Sequence, residues 1–426
     1  MKILYVSQYF PPEMGAPAAR AAELSRHWAN SGHEVSVLTG FPNHPTGVVP
    51  PEWRERLRGM TWHEKVDGVN VFRTWLWPLP NRKAHERMRN YASFFLSAAV
   101  CGLSLTRPDV IIGTSPQLLV GLAGWWLAFV HRVPFVFEVR DLWPESLTAV
   151  GAGAEGSALH RVLSAIAGFL YRRSDHIVVV TAAFKQHLVR YWQVPAEKIS
   201  LVENGVESDL FAPSPPAETL LLRQHLAIGQ NTFLVGYVGT MGMAHGLETL
   251  LDAASWLRQR DPRVLFLLIG EGAEKDRIKA LALDRGLTNV RFLDQQPREN
   301  IPAFISVCDA SLVLLKKTDV FKTVIPTKML EFMSCGSPVI LGVDGQAREI
   351  VDEVGAGIVI EPENPEALME AIERLAGDPI LSRRLGNSGR QYIVRRFSRQ
   401  RTAEDYIGVL GKLLRSTGHK NGSSAI

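Results

Sequence analysis

The chain has 426 residues, 46% hydrophobic and 21% charged. That apolar content excludes an intrinsically disordered chain, and at roughly 150 residues per domain the length predicts two or three domains, each with its own core. The formal net charge of +4 is too small to point to nucleic acid; it suits an anionic small molecule or an anionic membrane face. Cys101, Cys308 and Cys335 form no C-x-x-C pair, so neither a zinc site nor a disulfide framework is expected.

The N-terminal MKILYVSQ is a strand rather than a secretory signal, because Gln8 and Pro11-Pro12 end the apolar run. A helix follows over Ala16–Ser31, then strands at Val35–Leu38 and Val69–Leu76 and a helix over Glu86–Leu105. The uncharged run Val110–Val130 is long enough to cross a bilayer, but Gly113-Thr-Ser-Pro116 interrupts it. It is predicted as a buried strand, Asp109–Ser115, and an apolar helix, Gln117–Val130. A strand at Pro134–Val139, a helix at Leu159–Arg173 and a strand at Ile177–Thr181 complete the first half. Apolar strands of this kind, spaced by helices, imply a parallel sheet covered on both faces.

The alternation pauses at Asn204-Gly205 and at Pro213-Ser-Pro-Pro216, a linker signal. It resumes with strands at Phe233–Val238, Val264–Ile269, Val290–Leu293, Ser311–Leu315, Pro338–Gly342 and Gly357–Ile360. Helices intervene at His245–Arg258, Glu274–Arg285, Ile301–Val307, Thr327–Ser334 and Pro365–Ala376. The predicted architecture is α/β: two doubly wound parallel-sheet, Rossmann-like domains, residues 1–212 and 213–398, facing a central cleft with their strand carboxyl ends. Residues 399–415 form a last amphipathic helix expected to pack back on the first domain, and 416–426 a disordered tail.

Five segments carry the candidate chemistry. In the loop after strand 1, Gly15 lets the backbone come close to a ligand at a helix N-terminus, with Arg20 one turn on; an ordinary strand–helix turn fits equally. The stiff loop Thr39-Gly-Phe-Pro-Asn43-His44-Pro-Thr-Gly47 offers Asn43 and His44. Arg140, Asp141 and Glu145 cluster at a strand's carboxyl end, where charges are costly unless paired or functional. A carboxylate there would polarise an acceptor hydroxyl; an Arg140–carboxylate pair is the structural alternative. The Gly-rich turn Val235–Gly246, with Gly239, Thr240, Met241 and His245, suits a diphosphate, and Glu271 in Gly270-Glu271-Gly272 a ribose or base. Most specific is Ile325-Pro326-Thr327-Lys328-Met-Leu-Glu331. Lys328 lies in a first helical turn, where a cation is disfavoured, and an anion there would explain it, with Glu331 placed to bond ribose hydroxyls; a surface Lys328–Glu331 i,i+3 pair is the structural alternative. No Asp-x-Asp or His-x-x-x-His offers a metal site.

Together "TGFPNHP", "EVRDLWPES", "PTKMLEFMSCGSPVI" and the Gly15–Arg20 loop resemble glycosyltransferase family 4, a retaining family of the GT-B fold, and within it the L-fucosamine-type transferases of bacterial surface polysaccharide synthesis. The resemblance spans nearly the whole chain. It implies a UDP-sugar donor held by Lys328, Glu331 and the Gly239 loop, with Gly15, Thr240, Met241, His245, Glu271, Pro326 and Thr327 beside it. Arg20, Asn43, His44 and Arg140 would contact the acceptor, a saccharide on undecaprenyl diphosphate, while Asp141, Glu145 and Lys328 act in catalysis. No metal and no cofactor besides the donor are expected. The chain departs from the family pattern at Thr323, where a second glutamate is common, and at Thr240 and His245, near which Arg and Lys are common. An epimerase on the same scaffold and a non-catalytic sugar-nucleotide-binding subunit are the alternative readings. A cytoplasmic location is expected, with peripheral membrane contact through 82–105, which opens on Arg82, Lys83, Arg87 and Arg89, and through 117–130.

Overall fold

The computed structural model describes residues 1–44, 47–79, 84–149 and 154–422. The chain divides into two compact units, Met1–Asn204 with Gln400–Ile426, and Gly205–Arg399.

The first unit holds strands β1 (Lys2–Val6), β2 (Glu34–Gly40), β3 (Thr61–Val66), β4 (Val69–Thr74), β5 (Val110–Thr114), β6 (Phe135–Val139), β7 (His176–Val179) and β8 (Ile199–Leu201). They form one sheet in the order β3-β4-β2-β1-β5-β6-β7-β8, parallel except for the β3–β4 pair. Its helices are α1 (Ala16–Asn30), α2 (Pro51–Arg58), α3 (Ala84–Cys101), α4 (Leu118–His131), α5 (Glu145–Ala149), α6 (Ala158–Arg173) and α7 (Ala182–Trp192). The central strands β1, β5 and β6 are buried along their whole length except at Lys2, because both faces are covered. One face packs on α4 and α6 through Phe135, Phe137 and Leu170.

The run 110–130 resolves as β5 and α4, and no helix among the described residues is long and apolar enough to cross a membrane. Gly121 and Gly124 let α4 approach the sheet closely. A Cβ at Gly121 would stand 2.7 Å from Phe137, and one at Gly124 3.1 Å from the Gly113 Cα.

In the second unit α8 (Pro216–His225), α9 (Glu248–Arg260), α10 (Lys275–Asp284), α11 (Ile301–Ser306), α12 (Thr327–Ser334), α13 (Gln346–Val354), α14 (Pro365–Gly377) and α15 (Pro379–Arg396) surround β9 (Phe233–Val238), β10 (Val264–Ile269), β11 (Val290–Leu293), β12 (Ala310–Leu314), β13 (Val339–Gly342) and β14 (Gly357–Val359). The sheet order is β11-β10-β9-β12-β13-β14. All its pairs are parallel.

Two borders differ from the sequence expectation. The chain enters the second unit at Gly205 rather than at 213. Phe211 is fully buried there, its carbonyl accepts the Ser334 hydroxyl at 2.6 Å, and Val206 bridges Ser398. At the other end, α16 (Arg399–Gly422) continues past 415. The tail expected to be disordered is helical through Gly422, since no proline interrupts the turn that Lys412–Arg415 propagate; residues 423–426 lie outside the described residues. Tyr406 and Leu410 of this helix are buried against Trp28, Ile3 and Val37 of the first unit, and the Trp28 indole donates to the Ala403 carbonyl at 3.1 Å.

Candidate functional site

At the carboxyl ends of the first unit's strands, Gly15 caps α1 with φ 123° and supplies no side-chain bond to the first turn. Arg20, expected to meet an acceptor, is instead an internal brace with 1% exposure. Its guanidinium pairs with Glu138 at 2.9 Å and donates to Asn204 Oδ1 at 3.1 Å and the Glu203 carbonyl at 3.3 Å. Glu138 also accepts from Tyr5 at 2.6 Å and Thr114 at 2.7 Å. Burial opposes its ionisation, but the Arg20 and Arg140 charges win and hold its carboxyl below the usual range. Arg20 therefore fixes α1 to β6 and to the exit of β8.

The loops after β1 and β2 meet through a residue the sequence reading passed over. Glu13 is buried, and one of its oxygens accepts the amides of Asn43 and His44, both at 2.9 Å. Asn43 in turn accepts from Asn90 at 3.1 Å, and Asn90 from Gln8 at 2.6 Å. The other Glu13 oxygen and Gln8 Oε1 are buried without a hydrogen-bond partner among the described residues. Desolvation pushes the Glu13 carboxyl up to about 7, against its amide bonds. His44 packs at a tilt against Tyr9, ring centroids 4.6 Å apart, and is driven down to about 4 by burial, so it is neutral. Pro45 and Thr46 of this loop lie outside the described residues.

Because the folded-state value is raised above 4.5, the favourable contribution of protonated Glu13 is full below pH 4.5 and lost as pH rises to 7. Glu13→Gln is expected to stabilise the protein by about 1–3 kcal/mol above pH 7 and by little at pH 4.5. Urea unfolding at the two pH values checks this; an equal effect at both contradicts it.

Beyond β6, the amides of Arg140 and Asp141 both donate to Ser115 Oγ, at 2.7 and 3.3 Å, and the Arg140 guanidinium reaches the Ala16 carbonyl at 3.2 Å. Asp141 accepts from Ser146 and from the Trp143 indole at 3.2 Å. Burial raises its carboxyl value, and those bonds oppose the rise. Glu145 turns toward α7, accepting from His187 at 3.1 Å and Trp192 at 3.2 Å. Burial opposes its ionisation too, but the His187 and Trp192 bonds prevail and lower its value. Both carboxylates act on the buried Tyr171 ring, raising its hydroxyl value after desolvation has done most of the work. Asp141 thus remains a half-buried acceptor at the strand end, whereas Glu145 anchors α5 to α7.

In the second unit the turns after β9 and β10 interlock through backbone. Gly239 N donates to Ile269 O at 2.9 Å and Met241 N to Glu271 O at 2.8 Å. Gly270 has φ 144°, and a Cβ on it would stand 2.1 Å from the Gly239 carbonyl. Lys328, in the first turn of α12, lies across this turn. Its ammonium donates to the Tyr237 hydroxyl at 3.0 Å, sits 4.2 Å from that ring's centroid and would meet a Cβ on Gly239 at 3.0 Å. The Tyr237 hydroxyl donates onward to the Thr240 carbonyl at 2.6 Å. Desolvation pulls the Lys328 ammonium down to about 7, with Glu331 opposing. Lys328 forms none of the ion pairs within 4.0 Å found among the described residues.

Its neighbours are placed less simply. Pro326 caps α12, which begins at Thr327. Glu331 accepts from Arg298 at 3.1 Å, and Arg298 lies over Phe211 at 4.8 Å. Glu271 is paired with Lys275 at 2.5 Å, and Met241 is fully buried while Thr240 is exposed. His245 bonds the Leu314 carbonyl at 3.2 Å; burial and then Lys328 press it down to about 3. It is neutral and supplies no charge in place of the expected cations. Lys317 and Lys322 are drawn into exposed pairs with Glu361 and Asp319. The Thr323 hydroxyl donates to Val320 O at 2.6 Å. Lys328 is left as a half-buried cation of this turn outside any ion pair within 4.0 Å among the described residues, whereas the buried Lys275 is paired with Glu271. Among the described residues no group of three or more His, Cys, Asp or Glu is arranged to hold a metal ion.

Comparison with known proteins agrees with this arrangement. The family model for a glycosyl transferase 4-like domain matches residues 15–205, and that for glycosyl transferases group 1 matches residues 219–392. The chain is 24% identical over 418 residues to the protein named colanic acid biosynthesis glycosyl transferase WcaI of Escherichia coli (strain K12), covering 96% of this chain and 99% of that one. Among solved structures, sucrose-phosphate synthase from Thermosynechococcus elongatus superimposes with a TM-score of 0.75 at 21% identity, covering 97% of this chain and 99% of that one. HepE from Anabaena, in complex with UDP and glucose, does so with 0.70 at 21% identity, over 96% and 99%. The two Rossmann-like domains are those of the GT-B fold, and the chain belongs to glycosyltransferase family 4.

Proposed function

We propose that the protein transfers a sugar from a UDP-sugar to a lipid-linked saccharide, with retention of anomeric configuration, in surface polysaccharide synthesis. The donor reading is carried by Lys328, a buried ammonium without a carboxylate partner, laid against the Gly239 turn at a helix N-terminus. The UDP in the HepE structure and the name of WcaI support the donor and the process.

In this reading the diphosphate rests on Lys328 and the amides of the Gly239 turn, and Glu331, shared with Arg298, takes the ribose hydroxyls. The bond from the sugar's anomeric carbon to the leaving phosphate oxygen breaks first. The charge that develops on that oxygen is met by Lys328 and the α12 N-terminus, with no metal ion required. The acceptor hydroxyl, oriented by Asp141, then attacks the same face, and its proton passes to the departing phosphate oxygen. His44 and Arg140 line the acceptor side, with Asn43 buried behind them where it holds the loop, and the acceptor's lipid brings the enzyme to a membrane surface. Arg82 and Lys83, expected to take part in membrane contact, lie outside the described residues.

Binding to the folded state raises the melting midpoint by mass action. With chelator present throughout, UDP is expected to raise the midpoint and ADP and GDP to raise it less. Equal shifts for all three, or a shift with UDP that requires added divalent cation, would overturn the reading.

A further inference from the structure

The first unit carries a second concave site, at the edge opposite its strand carboxyl ends. Arg107, Arg132 and Arg173 stand just before β5, β6 and β7 and line a pocket of about 1340 Å³. Across strands of four or five residues that places them about 13–17 Å from the carboxyl-end residues. The Arg107 guanidinium bonds the Arg132 carbonyl at 3.1 Å, and the three arginines are exposed. Two carboxylates share the pocket and leave it one positive charge in excess: Asp109 accepts the Lys2 amide at 2.7 Å, and Asp175 the Phe135 amide at 2.8 Å.

This basic pocket adjoins an apolar one. Trp125 lines both, and on its other side Phe95, Leu122, Ile166 and Phe169 enclose about 430 Å³ between α3, α4 and α6, within the range of about 300–1,000 Å³ usual for pockets that bury small ligands. The surface around it is unusually apolar for a water-facing one. Phe129 is 65% exposed, Leu96 63%, Val100 68% and Val162 55%. Glycines turn one face of α4 into the sheet and leave Trp126, Phe129 and Val130 outward. The three helices carry Arg87, Arg89, Arg161, Arg172 and Arg173 against a single carboxylate, Glu86. An apolar patch with a cationic rim matches an anionic bilayer leaflet, in which phosphate sits directly above hydrocarbon. A protein partner would have to offer the same order of charge and grease.

We infer that the first unit binds an anionic phospholipid of a bilayer leaflet, its phosphate among Arg107, Arg132 and Arg173 and an acyl chain along Trp125 into the α3–α4–α6 pocket. This rests on the membrane-facing part of the proposed function and names the lipid and the site. It adds to the basic start of α3 a phosphate site at the amino ends of β5, β6 and β7, and it leaves the strand carboxyl ends free for the reaction.

The full chain is floated with vesicles of phosphatidylcholine alone and of phosphatidylcholine with phosphatidylglycerol. The wild type is expected to partition onto the second kind only, less so at high salt. R107Q/R132Q/R173Q is expected to lower partitioning about tenfold or more. W126S/F129S, which alters only exposed side chains and leaves the fold intact, is expected to lower it comparably. Both variants should retain the wild-type melting midpoint and UDP affinity. Equal partitioning onto the two vesicles, or either variant floating like the wild type, would overturn the inference. So would stripping by inorganic phosphate beyond that by chloride at matched ionic strength, since the pocket would then take free phosphate. A wild type that binds UDP yet ignores vesicles fails this inference alone; one that floats yet ignores UDP fails the donor reading alone.

Discussion

Replacing Lys328 with methionine is expected to lower kcat/KM by about two to three orders of magnitude while leaving the melting midpoint nearly unchanged. Loss of one group that stabilises charge on a leaving oxygen costs about that much where water is excluded. Methionine keeps the aliphatic stem over the Tyr237 ring, where the ammonium now lies at 4.2 Å, and removes a charge that burial disfavours. Activity and stability should therefore part company, which separates loss of function from misfolding. Arginine is not a conservative replacement: the Gly239 backbone is already close enough that a Cβ there would stand 3.0 Å from the Lys328 ammonium. Steady-state kinetics and thermal melts of the two variants check this; turnover within about threefold of wild type in Lys328→Met would contradict it.

The second large effect lies in stability. Arg20→Met alone leaves Glu138 at 0% exposure without its ion-pair partner, with the Tyr5 and Thr114 hydroxyls and the Arg140 charge as what still favours its ionised form. Breaking a buried pair from one side costs about 3–5 kcal/mol. Arg20→Met with Glu138→Leu removes both charges and is expected to recover much of the loss, because the desolvation of each ion disappears with its Coulombic partner. Urea unfolding of the single and double variants measures the coupling, and additive losses would contradict it. The pH dependence has a definite sign. Glu138 is held below its ordinary value, so its contribution is present above about pH 4.5 and lost as pH falls through the folded-state value. Because Arg20 ties α1 to β6, acceptor-dependent turnover should fall in the single variant even where it remains folded.

Much of this fold was legible as continuous apolar strands spaced by helices. All six strands of the second unit fall where the sequence puts them, and α12 begins and ends at the expected residues. Strand β3 escaped because Thr61–Val66 is polar and lies on an exposed edge, so no core face imprints a period on it. Its signal was the Asp67-Gly68 pair, whose φ values of 48° and 82° build the hairpin turn. Helices α13 and α15 were passed over as well; within α15 a Cβ on Gly386 would stand 2.0 Å from the Gly336 carbonyl and one on Gly389 3.2 Å from the Ala356 side chain, so close packing holds both glycines there at a cost in helix propensity.

The candidate site was legible where its chemistry is local and opaque where it depends on distant partners. Lys328 draws attention by sitting at a helix start, where the dipole disfavours a cation, and its contacts with the Tyr237 hydroxyl and ring lie within reach of the local turn. Arg20 looked like a ligand because a buried arginine cannot be told from an exposed one until Glu138, 118 residues away, is seen beside it. Glu13 was missed for the reciprocal reason: the amides it holds belong to Asn43 and His44, on another loop.

The central claim is that the Lys328 ammonium receives the donor's diphosphate, and proton linkage tests it directly. With a free-state value of about 7, Lys328 is mostly neutral at pH 8, and an incoming anion must draw a proton onto it. Calorimetric titration of UDP at pH 8, in buffers of different ionisation enthalpy, is expected to show uptake approaching one proton for the wild type and none for Lys328→Met, with weaker binding. Equally tight binding by both proteins, with no proton taken up by either, would contradict the account.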